Sequence, residues 1–248
     1  NASLLNFESA TSHTITVEAN DGTDSSTQDF TINITNVAPN TPTDADATAN
    51  SVSEGANNGD QVGIDADSSD VNGGTVSFSL TNDAGGRFAI NPATGIVRVA
   101  NASLLDFDSA TSHLITVQAS DGTNATTMDF TIAVTNAAPS VPVDGDATAD
   151  SVSEGAVNGD LVGIDANSGD VNGGAVTFSL TNDAGGRFAI NGSTGVVTVA
   201  NASLLNFEAA TSHLITVQAS DGTSSSTQDF TIAVTNVGPN MPFDADAT

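Results

Sequence analysis

Residues 113–122 read His-Leu-Ile-Thr-Val-Gln-Ala-Ser-Asp-Gly, and in this stretch Ile115, Val117 and Ala119 alternate with polar side chains. An apolar residue at every second position predicts a β-strand with one buried face. The Asp121-Gly pair that follows predicts a tight turn back into the next strand. The stretch therefore predicts one arm of an antiparallel hairpin.

Other segments of the chain show the same alternation. Two of them are Val76, Phe78, Leu80 and Phe130, Ile132, Val134. The segment 102–110 has room for a turn of helix, and no segment carries the apolar stripe of a longer helix. About seven short strands in a hundred residues predict an all-β fold, a β-sandwich of immunoglobulin-like size.

The sequence repeats itself every hundred residues, which is the size of a whole domain. The run Asn1-Ala-Ser-Leu-Leu returns at Asn101 and Asn201. A proline follows the last predicted strand of each copy, and proline ends strand pairing and stiffens a linker. With the linkers at Pro39, Pro139 and Pro239, four parts are predicted: the C-terminal part of a truncated repeat (1–40), two complete repeats (41–140 and 141–240) and the start of a further one (241–248).

The amino-acid composition of the chain excludes several classes of function. The 248 residues contain 30 acidic and 3 basic side chains, a formal net charge of −27. Nucleic acid and anionic lipid both require Lys or Arg for binding, so neither is expected as a partner, whereas cations are. Cysteine is absent, which excludes disulfides, Cys-ligated zinc and thiol catalysis. No apolar stretch reaches the roughly 18 residues of a transmembrane helix.

The acidic residues concentrate in the segments that lie at the two ends of the predicted sandwich. Glu54 lies near the first strand, and Asp121 ends the strand described above. Asp-x-Asp pairs occur at Asp65 and Asp106, and again at Asp144 after the linker proline. Calcium is bound by six to eight oxygen atoms, and paired carboxylates in loops supply them. The pattern predicts calcium between successive domains.

These motifs resemble cadherin-like repeats in the form found in tandem in giant bacterial adhesins. Ser51-Val-Ser-Glu54 is similar to the first-strand Glu motif of that family, and Asp65-Ala-Asp-Ser-Ser-Asp-Val-Asn-Gly to its Asp-rich loop. Leu105-Asp-Phe-Asp is similar to the family's Leu-Asp-Arg-Glu, and Ala119-Ser-Asp-Gly to its Ala-x-Asp-Gly. The family linker Asp-x-Asn-Asp-Asn-Ala-Pro is reduced here to Thr135-Asn-Ala-Ala-Pro. The resemblance covers the whole chain.

The resemblance implies a set of calcium ligands. They are Glu8, Glu54, Asp65, Asp67, Asp70, Asp106, Asp108, Asp121, Glu154, Asp165, Asp170, Asn172, Glu208 and Asp221. One junction would combine Glu54, Asp106 and Asp108 with Asp165, Asp170, Asn172 and Asp221; the junction before it would combine Glu8 with Asp65, Asp67, Asp70 and Asp121. The spacing from the Asp-rich loop to Phe78 allows two registers, so which acids of that loop are ligands stays open.

The expected function is a rigid, calcium-bound stalk or filament of an extracellular bacterial adhesin, and not an enzyme. The expected partners are calcium ions and neighbouring repeats, with a cell-surface or matrix polysaccharide as a further candidate. A histidine at the same position of every copy, such as His113, is typical of a structural residue and not of a catalytic one. Two alternatives are a carbohydrate-binding module, which exposed Trp or Tyr would favour, and an accessory region of a secreted enzyme. Trp and Tyr are both absent.

Overall fold

Antiparallel hairpins closed by Asp-Gly turns are the recurring unit of the fold. The computed structural model describes residues 4–71, 73–239 and 241. It divides into two units, Asn1–Thr135 and Asn136–Thr248. The first unit holds a hairpin and a sandwich, and the second holds one sandwich. The domain boundaries near residues 40 and 140 stay predictions. Asn72 lies outside the described residues. So does the predicted start of a further repeat at 241–248, except for Met241.

The first unit begins with the hairpin and continues into a sandwich of two four-stranded sheets. Its strands are β1 (Ser12–Asn20), β2 (Ser25–Asn33), β3 (Thr43–Asp44), β4 (Ser51–Ser53), β5 (Gln61–Asp67), β6 (Ser77–Asn82), β7 (Phe88–Ile90), β8 (Ile96–Val99), β9 (Ser112–Ser120) and β10 (Ala125–Thr135). The two sheets have the orders β4-β10-β9-β6 and β3-β5-β8-β7, and β1 and β2 form a separate two-stranded sheet. A short 3-10 helix, Ala102–Leu104, precedes β9.

The second unit repeats the sandwich element by element. Its strands are β11 (Val143–Asp144), β12 (Ser151–Ser153), β13 (Leu161–Asn167), β14 (Thr177–Asn182), β15 (Phe188–Ile190), β16 (Val196–Val199), β17 (Ser212–Ser220) and β18 (Ser225–Thr235). The sheets are β12-β18-β17-β14 and β11-β13-β16-β15, with a 3-10 helix at Ala202–Leu204. Each sandwich has eight strands in its described part, and the all-β tandem sandwich prediction is confirmed. Within that part, no helix has the length and apolar character required to cross a bilayer.

The core lies between the two sheets of each sandwich and contains the alternating residues that the sequence predicts. Ile115, Val117 and Ala119 on β9 are fully buried. They belong to the same cluster as Val62 on β5 and Val97 on β8, which come from the facing sheet. The period-two pattern places all of these side chains on the inner faces. The free energy gained by burying them holds the two sheets together.

One glycine is required for the close approach of two chain segments beside this core. Gly95 has φ = +75°, a conformation that residues with a side chain rarely adopt. A Cβ atom at this position would lie 1.9 Å from the carbonyl oxygen of Ala66, which is too close for any contact. The Ala66 N–H donates to the Gly95 carbonyl at 3.0 Å, so the absence of a side chain allows this backbone pairing.

A histidine packs at the start of β9, as its recurrence in the sequence predicts. The Nε2 atom of His113 is buried and has no hydrogen-bond partner among the described residues. Its ring lies 6.2 Å from that of Phe88, and His213 and Phe188 repeat this contact at 6.1 Å. Burial, and then the positive charge of Arg87, lowers the pKa of His113 below 6.5. The folded state therefore favours the neutral ring.

We expect both sandwiches to lose stability as the pH falls from about 7.5 towards 5. The unfolded chain, whose histidines have a pKa of about 6.5, binds protons before the folded chain does. The contribution of the buried histidines to the free energy of unfolding is complete above about pH 6.5. It is lost as the pH falls through the lower pKa that these histidines have in the folded chain. Urea unfolding at pH 7.5 and 5.5 measures it. The pH-dependent loss should be smaller in His113→Gln/His213→Gln, with the exposed His13→Gln as the control. An equal loss in the double variant and the unmodified chain would contradict this prediction.

Candidate metal centre

The turn after β9 is built around the carboxylate of Asp121. Its Oδ1 atom accepts hydrogen bonds from the backbone N–H groups of Thr123 and Asn124, both at 2.7 Å. These bonds fix the turn, as Asp side chains commonly do in loops. The N–H groups of Asn124 and Thr123 hold the pKa of the Asp121 carboxyl below its usual range, and the Asn36 amide adds to this effect. The carboxylate is therefore ionised at neutral pH.

The segment that joins the hairpin to the sandwich is attached to this turn and to a neighbouring loop. The Asn36 amide donates to Oδ2 of Asp121 at 3.0 Å. The Asn40 backbone N–H and side-chain amide donate to the carbonyl and hydroxyl oxygens of Ser69, each at 3.0 Å. The Thr126 hydroxyl donates to the Asn40 carbonyl at 2.9 Å. Direct hydrogen bonds thus fix residues 36–40 to the end of the sandwich that follows them.

The Asp-rich loop after β5 contributes a buried carboxylate to the same end of the sandwich. Asp70 is only 7% exposed, and its Oδ2 atom is shielded from solvent. Gly74 lies against it, and a Cβ atom there would be 3.5 Å from the Asp70 carboxyl carbon and 3.4 Å from Cγ of Glu8. An ionised carboxylate in such a position is costly unless a positive charge or hydrogen-bond donors compensate it.

Three carboxylates from separate segments converge at this end. Ligand oxygens of Glu8, Asp70 and Asp121 all lie within 4.8 Å of one another. Glu8 comes from the turn before β1, Asp70 from the Asp-rich loop and Asp121 from the turn after β9. Glu8 is exposed and Asp121 is half-buried, so the group is open to solvent on the Glu8 side.

The donor set fits a hard divalent cation. Calcium binds carboxylate oxygens at about 2.3–2.6 Å, so two ligands of one ion are at most about 5 Å apart. The three carboxylates of the group satisfy that limit. A bound calcium ion would neutralise the three negative charges and connect the three segments that carry them. Backbone carbonyls and water would supply the remaining oxygens that calcium requires.

The other two predicted ligands of this loop region lie on β5 or at its end. Asp65 is half-buried, and its backbone N–H donates to Oδ1 of Asp44 at 3.1 Å. Asp67 ends β5 and is exposed. Neither belongs to the carboxylate group formed by the described residues. The geometry thus brings together Glu8, Asp70 and Asp121 and leaves Asp65 and Asp67 outside.

The predicted ligands at the opposite end of the first sandwich take part in local contacts. Glu54 is buried, and its Oε2 atom accepts a hydrogen bond from the Phe107 N–H at 2.8 Å. Asp106 accepts from the hydroxyl and the N–H of Ser109 at 2.6 and 3.0 Å, and these bonds lower the pKa of its carboxyl. Asp108 is exposed. Glu54 and Asp106 thus stabilise the turn that precedes β9.

The second unit repeats the linker geometry. Asp221 accepts from the N–H groups of Thr223 and Ser224 at 2.7 Å, and from the Asn136 amide at 3.0 Å. The Ser224 N–H, the Asn136 amide and the Thr223 N–H together lower the pKa of the Asp221 carboxyl. In the Asp-rich loop, Oδ1 of Asp170 accepts from the Asn172 N–H at 3.0 Å.

The remaining predicted ligands of this unit lie on β13 or in turns other than that loop. Asp165 is half-buried on β13, and its N–H donates to Asp144 Oδ1 at 3.1 Å. Glu154 accepts from the N–H groups of Val237 and Phe207 at 2.7 and 2.9 Å, and these bonds lower the pKa of its carboxyl. Glu208 is exposed. The junction predicted from Glu54, Asp106 and Asp108 with residues of the second unit stays a prediction.

The linker asparagines are not among the site residues that the sequence predicts. Asn36 and Asn136 each donate to the carboxylate that begins the hairpin turn of the following sandwich. A signal was available, because an asparagine recurs three residues before each linker proline in all three copies. Short polar residues in linkers have no periodicity, so this recurrence was the one indication of their role.

The fold and the carboxylate group define a class: tandem β-sandwich repeats with an acidic group beside a linker. The sequence matches no protein-family model and no curated protein. Solved cadherin extracellular structures do match the fold. Human protocadherin-24 EC1-2 (form II) is 19% identical, with a TM-score of 0.45, and 82% of this chain and 100% of that chain are covered.

Two longer cadherin structures match in the same way. Drosophila N-cadherin EC1-4 is 19% identical, with a TM-score of 0.44 and coverage of 86% of this chain and 52% of that chain. Protocadherin gamma B2 extracellular cadherin domains 1-5 are 19% identical, with a TM-score of 0.40 and coverage of 94% and 47%. The chain thus spans about half the length of these two proteins. At this identity, the similarity concerns the fold alone.

We expect Asn36→Ala to raise the pKa of Asp121, because it removes one donor to the carboxylate. The rise should be partial, since the N–H groups of Asn124 and Thr123 remain. Carboxyl-carbon NMR titration measures it, and Asn40→Ala is the matched control, because it alters the same linker without a side-chain contact to Asp121. An unchanged Asp121 titration in Asn36→Ala would show that the amide does not stabilise the carboxylate.

Proposed function

We propose that the chain is a calcium-binding spacer, a region of tandem cadherin-like repeats in an extracellular bacterial adhesin. The observation that carries this proposal is the convergence of Glu8, Asp70 and Asp121 beside the linker. Each comes from a different segment, and Glu8 belongs to the part of the chain that precedes the linker. Calcium at this position would connect the hairpin to the sandwich that follows it.

The linker contacts indicate how calcium would act. Hydrogen bonds from Asn36 and Asn40 already attach residues 36–40 to the following sandwich. Among the carboxylates of the group, Glu8 is the one contributed from before the linker. An ion held by Glu8 together with Asp70 and Asp121 would restrict the remaining motion at the joint. The proposed role of calcium is therefore to stiffen the joint and not to fold the sandwich.

Sequence repetition extends the proposal to the next linker. Asp108, Asp170 and Asp221 stand one hundred residues after Glu8, Asp70 and Asp121. A spacer requires length and repetition, whereas a binding module requires one distinctive surface. A surface with a net charge of −27 would also suit a compartment with abundant calcium, and calcium modules outside cells have affinities of about 10⁻⁴–10⁻³ M. The repetition and the charge therefore favour an extracellular stalk.

Calcium titration of a matched pair of variants tests the site. Glu8→Gln keeps the length of the side chain and removes the negative charge. We expect at least about tenfold weaker binding at one class of sites, since ligand charge sets calcium affinity over several decades. Glu18→Gln is the control, because it changes an exposed Glu within β1 that lies outside the carboxylate group. Isothermal titration calorimetry measures both. Identical isotherms for the two variants and the unmodified chain would exclude Glu8 as a ligand.

Small-angle X-ray scattering tests the mechanical role. Removal of calcium with EDTA should broaden the distribution of interdomain distances, because the linkers then gain freedom. Circular dichroism on the same samples should show unchanged strand content, since the cores do not depend on the ion. Equal scattering curves with and without calcium would contradict the stiffening role. Loss of strand content in EDTA would show that calcium supports the fold of each sandwich.

A further inference from the structure

A cavity beside the β11-β13-β16-β15 sheet of the second sandwich has both apolar and acidic residues in its lining. Its volume is about 340 Å³. Leu161 of β13, Val196 of β16 and Ala149 of the segment between β11 and β12 supply apolar side chains. Asp146 and Asp165 supply carboxyl groups. The lining therefore offers a ligand two kinds of contact within one sandwich.

The local sequence fixes the shape of this cavity. Residues 145–150 cross over β13 at Gly163, where φ is +82° and a Cβ atom would be only 2.3 Å from the Ala149 carbonyl oxygen. Glycine thus allows the crossover segment to lie directly on the strand. Oδ1 of Asp144 accepts the backbone N–H of Asp165 at 3.1 Å, which attaches the start of the segment to β13. The cavity is therefore preformed, as ligand pockets usually are.

The acidic residues of the crossover segment repel one another. Asp150 directly follows Ala149 of the lining. Burial, and then the charge and hydrogen bond of Asp144 and the charge of Asp146, raise the pKa of the Asp150 carboxyl. Such a rise means that the surroundings disfavour a further negative charge. A bound cation would relieve this repulsion, so the acidic part of the lining favours a positively charged ligand.

Three differences between the two sandwiches change the chemistry of this region. In the second sandwich Asp150 replaces Asn50, Leu161 replaces Gln61 and Thr198 replaces Arg98. Leu161 and Thr198 are cross-strand partners, as are Gln61 and Arg98. The first sandwich thus carries its own positive charge beside this strand, and the second has a carboxylate more and an apolar side chain instead. The two repeats share a fold but differ in the ligand that this region favours.

We propose that the cavity binds a small aliphatic amine, a molecule with a protonated primary amino group on a short hydrocarbon chain. The ammonium group donates hydrogen bonds to the carboxylates of Asp146 and Asp165, and the chain packs on Leu161 and Val196. Hydrogen bonds between ionised partners are stronger than neutral ones, and burial of each methylene group adds to the affinity. The volume lies at the lower end of the range for small-molecule pockets.

Other occupants use only part of the lining. The chain has three arginines and no lysine, and each arginine donates a hydrogen bond to a backbone carbonyl of its own sandwich. A second copy would therefore bring further negative charge and no free cation. Calcium would bind the carboxylates, but an ion that requires oxygen ligands gains nothing from Leu161 and Val196. An amine with a hydrocarbon chain uses both parts.

NMR titration of the whole chain with pentylamine tests the proposal. The amide resonances of Ala149 and Gly163 should shift and saturate, with a dissociation constant of about 1 mM or below. Those of Ala49 and Gly63 in the first sandwich should not shift. Pentan-1-ol, which lacks the charge, and methylammonium, which lacks the chain, should each bind at least about tenfold more weakly. The titrations are made with and without calcium, because the cavity contains no residue of the proposed metal site.

The residues of the first sandwich supply matched variants of the second. Asp150→Asn and Leu161→Gln each introduce a residue that the same fold already accepts one hundred residues earlier. We expect pentylamine to bind at least about tenfold more weakly to Asp150→Asn and at least about fivefold more weakly to Leu161→Gln. Asp229→Asn is the control, because it removes an exposed carboxylate from β18 of the opposite sheet. It should change the affinity by less than about twofold.

The reciprocal exchange should create a second site. A chain with Asn50→Asp, Gln61→Leu and Arg98→Thr should show pentylamine-dependent shifts in the first sandwich as well, at Ala49 and Gly63. A folded chain of this composition without such shifts would contradict the assignment of the three positions.

Three further results would overturn the proposal. One is the absence of a saturable shift at Ala149 and Gly163, or an equal shift with pentan-1-ol or methylammonium, because charge and chain would then not act together. The second is equal affinity of Asp150→Asn and Asp229→Asn, because the acidic residues would then play no part. The third is tighter binding of the peptide Gly-Gly-Lys-Gly-Gly than of pentylamine, because the occupant would then be a lysine side chain of another protein.

Discussion

The joint between linker and sandwich depends on the carboxylate of Asp121, whose two oxygens accept hydrogen bonds from two different segments. Oδ1 of Asp121 holds the hairpin turn through two backbone amides, and Oδ2 receives the amide of Asn36 from the linker. Asp221 accepts the equivalent hydrogen bonds, from two backbone amides of its own turn and from the amide of Asn136. Because hydrogen bonds to an ionised group are stronger than neutral ones, a single charged side chain can position both segments. The linker is thus part of the sandwich that follows it.

The same carboxylate connects the fold to the cation chemistry. Donors around Asp121 keep it ionised, and its position beside the buried Asp70 and the exposed Glu8 concentrates negative charge at the joint. Like charges at this separation repel one another, and a chain with three arginines and no lysine has few cationic side chains to offset them. A divalent cation is the simplest compensation. The net charge of the chain and the geometry of this acidic group therefore favour the same partner.

The sequence predicted the sandwich because burial follows a period of two, which is visible in residues such as Ile115 and Val117. The composition of the acidic group was harder to predict. Asp65, Asp67 and Asp70 are close in sequence, but the first two belong to a strand and the third to the loop after it, so only Asp70 joins the group. The role of Asn36 depends on a contact 85 residues away in the sequence. No local pattern encodes such a contact.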